Sequence, residues 1–408
     1  MKRETPIPTE TLASSPVRRR LLWWLVSAAV FLLSVGFWWW PWAGDRGIPA
    51  AVTAEEVQRA EGDFRRAERR EPERSELLLM LAENLARRGR VEVALACAEQ
   101  VPVADPQAGL RAGLLTAQFC LRLNLAGRAE QAVQGVLREW GERSRGVESD
   151  LRTARELLVF LLSLQFRFEE RQVQLLELRK AGLLEPLLTK QLYFPALLAW
   201  RTAQQNQRLQ QFLEQTPDDA RLLAAHARYL LGAGAVDESR RLIDAAATMN
   251  PEDPGVLAAA LECRFEMQDL AGFRGLLQVA PKYAVGEPWL LTHMRAEAAA
   301  LGQDWAESAR YFEVLLRAGE TNPLYCQGLA RAYGELGRES DRVRLQQRAL
   351  RLAELRLTLG EAELQTPAAL RAAAATAREL QLPQAAEDLE QLAQLGERTM
   401  QGRQEQRR

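Results

Sequence analysis

Apolar residues recur every three or four positions through most of the chain after residue 53, which is the spacing of one face of an α-helix. The same region is rich in Leu, Ala, Glu, Arg and Gln, and it has no run of alternating β-branched residues. Residues 53–56 (TAEE) have the order of a capping box at a helix start. The pattern predicts an all-α body made of many short helices.

Prolines divide this helical region at a regular interval. Each of three intervals of 34 or 35 residues holds two helical stretches joined by a glycine-containing turn, and they are bounded by Pro72 and Pro106, Pro217 and Pro251, and Pro288 and Pro323. The interval from Pro251 to Pro281 is shorter, at 30 residues. A helix hairpin repeated at this period is the sequence signature of a helical solenoid.

Large and small residues alternate at fixed places within these units. In the first clear unit they are Leu78, Leu81, Ala82, Leu85, Ala94, Ala98, Val101 and Pro106. In the unit before Pro251 they are Leu223, His226, Ala227, Leu230, Ser239, Ile243 and Ala246. Small residues let two helix axes cross closely.

This arrangement resembles the tetratricopeptide-repeat (TPR) family, in its membrane-anchored bacterial form. The resemblance implies an α-solenoid of helix-turn-helix repeats over residues 54–360, with about eight repeats, several of them degenerate. Related helical solenoids with longer units are the alternative. After the repeats, residues 361–398 are predicted to form a capping pair of helices, and the polar residues 399–408 a disordered tail.

Two features depart from the family's pattern. Arg342 stands where a small residue is expected, and residues 166–216 keep the period but lose most of the characteristic positions. The aromatic residues of this stretch are either core residues that differ from the consensus or an exposed docking surface. They are Phe166, Phe168, Tyr193, Phe194, Trp200 and Phe212.

One long apolar stretch precedes the helical body. Residues 21–40 carry no charge, and as a helix they span roughly 30 Å, the thickness of a bilayer's hydrocarbon core. Tryptophans, which favour the membrane interface, lie at both ends: Trp23, Trp24, Trp38, Trp39, Trp40 and Trp42. We predict a transmembrane helix over residues 21–42 and a linker over residues 43–53. A cleaved signal peptide is the alternative, but its apolar region has only about 7–15 residues.

Flanking cations predict the orientation of this span. Only Arg46 and Arg59 follow it within some twenty residues, whereas five cations precede it, namely Lys2, Arg3, Arg18, Arg19 and Arg20. The positive-inside rule places the tail of residues 1–20 in the cytoplasm and the body on the other side. In a bacterium these locations are the inner membrane and the periplasm.

Composition and motifs argue against several classes of function. The 53 basic and 54 acidic residues nearly cancel, so the basic excess typical of nucleic-acid binding is missing. The four cysteines are scattered through apolar stretches, with Cys97 and Cys120 as the one pair that could form a disulfide. No phosphate-binding loop, GxSxG or HExxH motif occurs. We expect no catalytic residue, metal, cofactor or small-molecule substrate, and predict that the protein is not an enzyme.

The family resemblance implies a groove that binds a partner protein, lined by the first helix of each repeat. By the family's pattern, Glu83, Arg228 and Arg331 face this groove as candidate partner-binding residues; the alternative is that they are solvated charges on helix faces. The predicted function is a membrane-tethered scaffold or adaptor in envelope assembly or export. An accessory subunit of a membrane enzyme or translocon complex, as in cytochrome maturation or polysaccharide export, is the alternative.

Overall fold

The computed structural model describes residues 71–142, 146–184, 186–193, 203–281, 287–318, 321–360 and 366–405. The predicted tail, transmembrane helix, linker and first part of the solenoid lie outside these residues. So do all the arginines and tryptophans predicted at the membrane interface. Within the described ranges, no helix has both the length and the apolar character needed to cross a membrane.

Eighteen helices occur in the described residues, with no strand among them, which confirms the all-α prediction. In chain order they are α1 (Glu71–Arg87), α2 (Val91–Glu99), α3 (Gly109–Arg122), α4 (Ala126–Trp140), α5 (Glu148–Leu164), α6 (Phe168–Lys180), α7 (Pro186–Tyr193), α8 (Ala203–Gln215), α9 (Ala220–Gly232), α10 (Val236–Met249), α11 (Pro254–Glu266), α12 (Leu270–Val279), α13 (Trp289–Leu301), α14 (Trp305–Arg317), α15 (Pro323–Glu335), α16 (Glu339–Gly360), α17 (Pro367–Glu379) and α18 (Pro383–Glu405).

Most of these helices pack as hairpins of sequence neighbours. The pairs are α1–α2, α3–α4, α5–α6, α9–α10, α11–α12, α13–α14, α15–α16 and α17–α18. The turn inside each hairpin contains a residue with positive φ, and along Gly234, Gln268, Gln303 and Gly337 these residues recur every 34 or 35 positions. The described chain is therefore a solenoid of TPR-like helix hairpins.

Glycine occupies this left-handed turn position in only some of the hairpins. Gly234 has a φ of 85°, but Asn124 adopts a φ of 61° at the equivalent turn, where a residue with a Cβ is disfavoured by about 1–2 kcal/mol. The amide of Leu125 donates to the carbonyl of Cys120 at 2.8 Å, closing the turn with the long hydrogen bond typical of helix C-termini. This hydrogen bond helps to offset the conformational cost.

The first helices of the hairpins lie on the inner side of the array. Several successive first helices pack directly on one another, as α9 does on α11 and α11 on α13, whereas the second helices lie farther apart. The array therefore curves with its first helices on the concave face and, apart from α6, its second helices on the convex face.

Small residues allow these helices to approach each other closely. Ala82 and Ala227 on first helices and Ala94 on a second helix are completely buried. At position 342, where the repeat pattern expects a small residue, the arginine side chain packs against Gly334 on α15. A Cβ on Gly334 would lie 2.8 Å from Cδ of Arg342, so the glycine makes room for the arginine side chain.

Only part of the stretch that departs from the repeat pattern, residues 166–216, packs in the main core. Phe212 of α8 is completely buried in the core that runs from α1 through α5 to α9. Helices α6 and α7 instead form a small separate core with Val159 of α5, made of Leu175, Leu178, Leu188 and Leu192. We call α6 and α7 the strap.

The aromatic residues of this stretch do not share one environment. Phe166 and Phe168 are partly buried and pack edge to face, with 6.0 Å between ring centroids. Tyr193, at the end of α7, packs against both the strap core and the core of the last hairpins. Phe194 and Trp200 lie outside the described residues. The interpretation as core residues thus fits Phe212 best.

The last hairpin of the described residues consists of α17 and α18. Helix α18 continues to Glu405, past residue 398, where the sequence predicts the capping helices to end and a disordered tail to begin. The physical reason is composition, because Gln, Glu, Arg and Met in residues 399–405 are good helix formers.

Candidate functional site

The strap reaches across the concave face to the last hairpin. In a solenoid each unit contacts only its neighbours, but Arg179 and Asp388, on α6 and α18, are 209 positions apart in sequence. Nε of Arg179 donates to Oδ2 of Asp388 at 2.7 Å, and the hydroxyl of Tyr193 donates to the same oxygen at 2.6 Å. Asp388 is buried, which shields both hydrogen bonds from water. Burial, reinforced by the bond to Asp388, raises the pKa of Tyr193 and keeps its hydroxyl a donor.

Two further contacts attach the strap to the C-terminal half of the array. Helix α13 begins at Trp289, and its own N-cap residue, Pro288, supplies no capping side chain. The carboxylate of Glu169 accepts the hydrogen bond of the Trp289 amide, so the strap caps α13, where the helix dipole favours negative charge. The hydroxyl of Thr321 donates to the carbonyl of Tyr193. Burial raises the pKa of Glu169, although the amide of Trp289 opposes the shift.

A cavity of about 940 Å³, which we call the chamber, lies between the strap and the concave face. Helix α6 and the turn before it form one wall. The opposite wall is formed by α9, α11 and the start of α13, and residues 381–385 close one end. This volume lies within the range of protein ligand sites, about 300–1,000 Å³.

The lining of the chamber is largely apolar. Val173 and Leu176 on α6 point into it and are 55% and 37% exposed. The facing surfaces of α9 and α11 carry alanines, among them Ala224 and Ala258, which leave the helix surfaces smooth. Exposed aliphatic side chains in a half-open cleft favour an apolar occupant.

Each of the chamber's arginines is matched by an acid of the same chain. Arg221 contacts Asp253 at 2.7 Å, and Arg167 contacts Glu130 at 2.7 Å. Arg228 lies 4.3 Å above the ring of Phe166 and forms an ion pair with a glutamate on α11. The chamber therefore offers no unmatched positive charge to an anionic ligand.

The three predicted partner-binding residues all lie on first helices, where they connect one first helix to its neighbour. Glu83 of α1 pairs with Arg111 of α3 at 2.6 Å. Arg331 of α15 pairs with Glu297 of α13 at 2.8 Å. Among the three, only Arg228 lines the chamber. Their role in binding a partner stays a prediction.

Sequence reasoning missed the partners of these charges. Glu262 lies 34 positions after Arg228, and Glu297 lies 34 positions before Arg331. Opposite charges at one position of successive repeats are a signal that a comparison of the units would have detected. The strap residues Arg179 and Tyr193 and their acceptor Asp388 carry no such signal.

Other chemistry is sparse in the described part of the chain. No group of three or more His, Cys, Asp or Glu side chains there could hold a metal ion. The four cysteines are free and buried, so Cys97 and Cys120 are thiols rather than a disulfide. Burial raises the pKa of Cys120 to about 11 and that of Cys263 to about 12, which makes both thiols unreactive.

No family model matches the chain, and no curated protein matches it. Solved structures similar to it include a TPR protein from Parabacteroides merdae, at 14% identity and a TM-score of 0.30, covering 63% of this chain and 98% of that chain. Human IFIT1 in a dimer with PPP-AAAA matches at 12% identity and a TM-score of 0.35, covering 84% and 95%. Yeast Tom70 matches at 12% identity and a TM-score of 0.31, covering 83% and 85%. Likeness at this level says nothing about function.

Proposed function

We propose that this protein is a non-enzymatic scaffold that holds a segment of a partner protein in the chamber. The observation that carries the proposal is a half-open cleft of about 940 Å³ on the concave face of a helical solenoid, with aliphatic side chains exposed inside it. Such a space would bind a partner by burying apolar surface, at about 25 cal/mol per Å².

The occupant that fits is a short, uncharged, aliphatic peptide segment. A helix with its side chains is about 10–12 Å across and rises about 1.5 Å per residue, so each residue takes ~120–170 Å³. The chamber then holds about six to eight residues. A charged residue in the segment would be desolvated opposite ion pairs that are already satisfied, which is unfavourable.

The binding test uses full-length protein in lipid nanodiscs and fluorescein-labelled peptides of eight residues. One peptide set contains Val, Leu, Ala and Ser, and a matched set has two Asp substitutions. Saturable binding of the first set alone, measured by fluorescence anisotropy, supports the proposal.

Two variants place this binding in the chamber. Val173→Glu puts a carboxylate inside the chamber and should weaken binding at least tenfold. Val93→Glu is the matched control, because Val93 is similarly exposed, at 41%, but lies on α2, which contributes no residue to the chamber. Equal peptide affinity of the two variants would refute the chamber as the binding site.

We further propose that residues 21–42 tether this scaffold to a membrane, with the body extracytoplasmic, in envelope assembly or export. Support comes from the uncharged stretch, its tryptophan belts and the excess of cations before it. The test removes the four native cysteines and places a single cysteine either in residues 43–53 or at the C-terminus. Labelling of intact cells by a membrane-impermeant thiol reagent, at full chain length, supports the tether. A shortened labelled chain, or labelling only after lysis, contradicts it.

A further inference from the structure

We propose that the chamber takes its partner segment as an amphipathic α-helix and not as an extended chain. The inference rests on the proposed function, since it names the form in which the same site binds its occupant. Two features of the chamber carry it. One is the spacing of the residues along its walls, and the other is the engagement of the walls' polar side chains within this chain.

Three helices each turn one face towards the chamber. Their lining residues recur in steps of three and four, at positions that include 169, 173 and 176 on α6, 221, 224, 225 and 228 on α9, and 254, 255, 258 and 259 on α11. This is the spacing of a single helix face. Side chains so arranged form ridges and grooves that fit the ridges and grooves of another helix. The space between the three faces therefore has the form of a site for a further helix.

The apolar part of this site has the length of a helix contact. On α9, Ala224 and Ala225 lie between Arg221 and Arg228, each of which is paired with an acid. The two arginines are seven residues apart, which corresponds to about 10 Å along a helix. An occupant helix beside this face would bury about two turns, with apolar side chains at i, i+3, i+4 and i+7.

An extended segment would turn backbone N–H and C=O groups towards the walls, where each needs a partner. The amide side chains there are already engaged. Nε2 of Gln172 donates to the carbonyl of Leu192 at 2.6 Å, and the amide of Gln165 donates to Glu130 and accepts from Arg167 at 3.0 Å. The described residues also contain no strand whose edge an extended segment could join. A helix satisfies its own backbone groups and needs none of these partners.

The openness of the chamber determines the other face of the occupant. Because the cleft is half open, one side of a bound helix stays in water. Polar residues on that side avoid leaving apolar surface exposed. The partner segment is therefore an amphipathic helix that is aliphatic on the buried face and carries uncharged polar residues on the other.

The test compares three forms of one uncharged peptide of about fourteen residues, a length at which an isolated helix is marginal in water. Leu, Val and Ala occupy i, i+3, i+4 and i+7, and Ser and Gln the other positions. One form is linear, one is held helical by a neutral side-chain lactam on the polar face, and one has a central Ala→Pro substitution. The matched control is a lactam peptide of the same composition with the aliphatic positions scrambled. Fluorescence anisotropy measures binding to the full-length protein in nanodiscs.

We expect the lactam form to bind about tenfold more tightly than the linear form, since a free peptide that is helical for about a tenth of the time loses that factor in affinity. The proline form should bind about a hundredfold more weakly than the linear form, because proline disrupts a helix interior. The scrambled control should bind at least about tenfold more weakly than the lactam form. Val173→Glu should weaken the lactam form roughly tenfold or more, and Val93→Glu should not.

NMR chemical shifts of an isotope-labelled linear peptide give the bound conformation directly, and helical shifts are expected. Extended shifts, or equal affinity of the linear and proline forms, overturn the helical occupant but leave the proposed function standing if Val173→Glu still weakens binding. Equal binding of the scrambled control also overturns it. Failure of every form to bind, together with the short aliphatic peptides, overturns the proposed function as well.

Discussion

Gly328 gives a sharp test of how tightly the hairpins pack. It lies on α15 against the ring of Phe312 from α14, and a Cβ added to Gly328 would be 2.2 Å from the ring's Cζ atom. Phe312 is completely buried, and the rings of His293 and Tyr325 are tilted against it at centroid distances of 5.9 and 6.4 Å. The ring has little room to move aside, so Gly328→Ala should force the two hairpins apart.

The expected loss is the difference between two opposing effects. Overpacking of a core costs about 1–3 kcal/mol, while replacing glycine by alanine within a helix contributes about 0.8–1.0 kcal/mol of stability. A contact at 2.2 Å lies at the severe end of overpacking, so we expect a net loss of about 1–2 kcal/mol. Gly135, in the middle of α4, has open space where its Cβ would be, so Gly135→Ala should gain about 1 kcal/mol.

Urea unfolding followed by circular dichroism measures both variants of the full-length protein. Hydrogen exchange of α14 and α15 then shows whether the loss is local, because hairpins of a solenoid are stabilised by their nearest neighbours. The two substitutions should differ by about 2–3 kcal/mol in the free energy of unfolding. Equal gains in both variants would refute the close contact between Gly328 and Phe312.

Three further predictions concern buried polar groups. Burial lowers the pKa of His226, whereas in the unfolded chain a histidine binds a proton below about pH 6.5. The free energy of unfolding should therefore fall from pH 7 to pH 5, and it should fall less in His226→Gln. Equal losses in the two proteins, measured by urea unfolding, would contradict this. Because their thiol pKa values are raised by burial, Cys120 and Cys263 should resist a disulfide reagent at pH 8 and react only in urea. Reaction of these thiols in the native protein would contradict their burial. Arg228→Met should cost ~2–3 kcal/mol in unfolding free energy, because it strands a partly buried glutamate. Arg331→Met should cost below about 1 kcal/mol, because Arg331 is half-exposed and Glu297 keeps His293 as a second neighbour at 3.6 Å. Equal costs of the two substitutions would contradict the difference in burial of the two arginines.

The repeat architecture could be predicted because each hairpin is specified by nearby residues. Proline spacing and alternating large and small residues set the period, and the structure shows the same period in its turn residues. The sequence did not predict which turn residue takes the left-handed conformation, because Gln268 and Gln303 adopt φ values of 60° and 61° at this position. Helix packing on both sides fixes those turns, which residue preferences alone do not report.

The candidate site was less predictable than the fold. The placement of Glu83, Arg228 and Arg331 on first helices follows from the repeat pattern. Their engagement with Arg111, Glu262 and Glu297 depends on how successive repeats stack. The paired acids Glu169 and Glu170 are at a helix start, as their sequence position indicates, but Glu169 caps α13, which lies 120 positions later.

The sequence by itself determined what short-range physics decides: helices, their hairpin pairing, the period, and the candidate charges on first helices. These depend on contacts within about one repeat, so a local pattern records them. Only the tertiary structure decided the strap, the chamber and the role of Asp388. Arg179 and Asp388 meet across 209 positions because the curvature of the whole array brings α18 back to α6. That curvature is the sum of small rotations between successive hairpins, and no single segment of sequence encodes it.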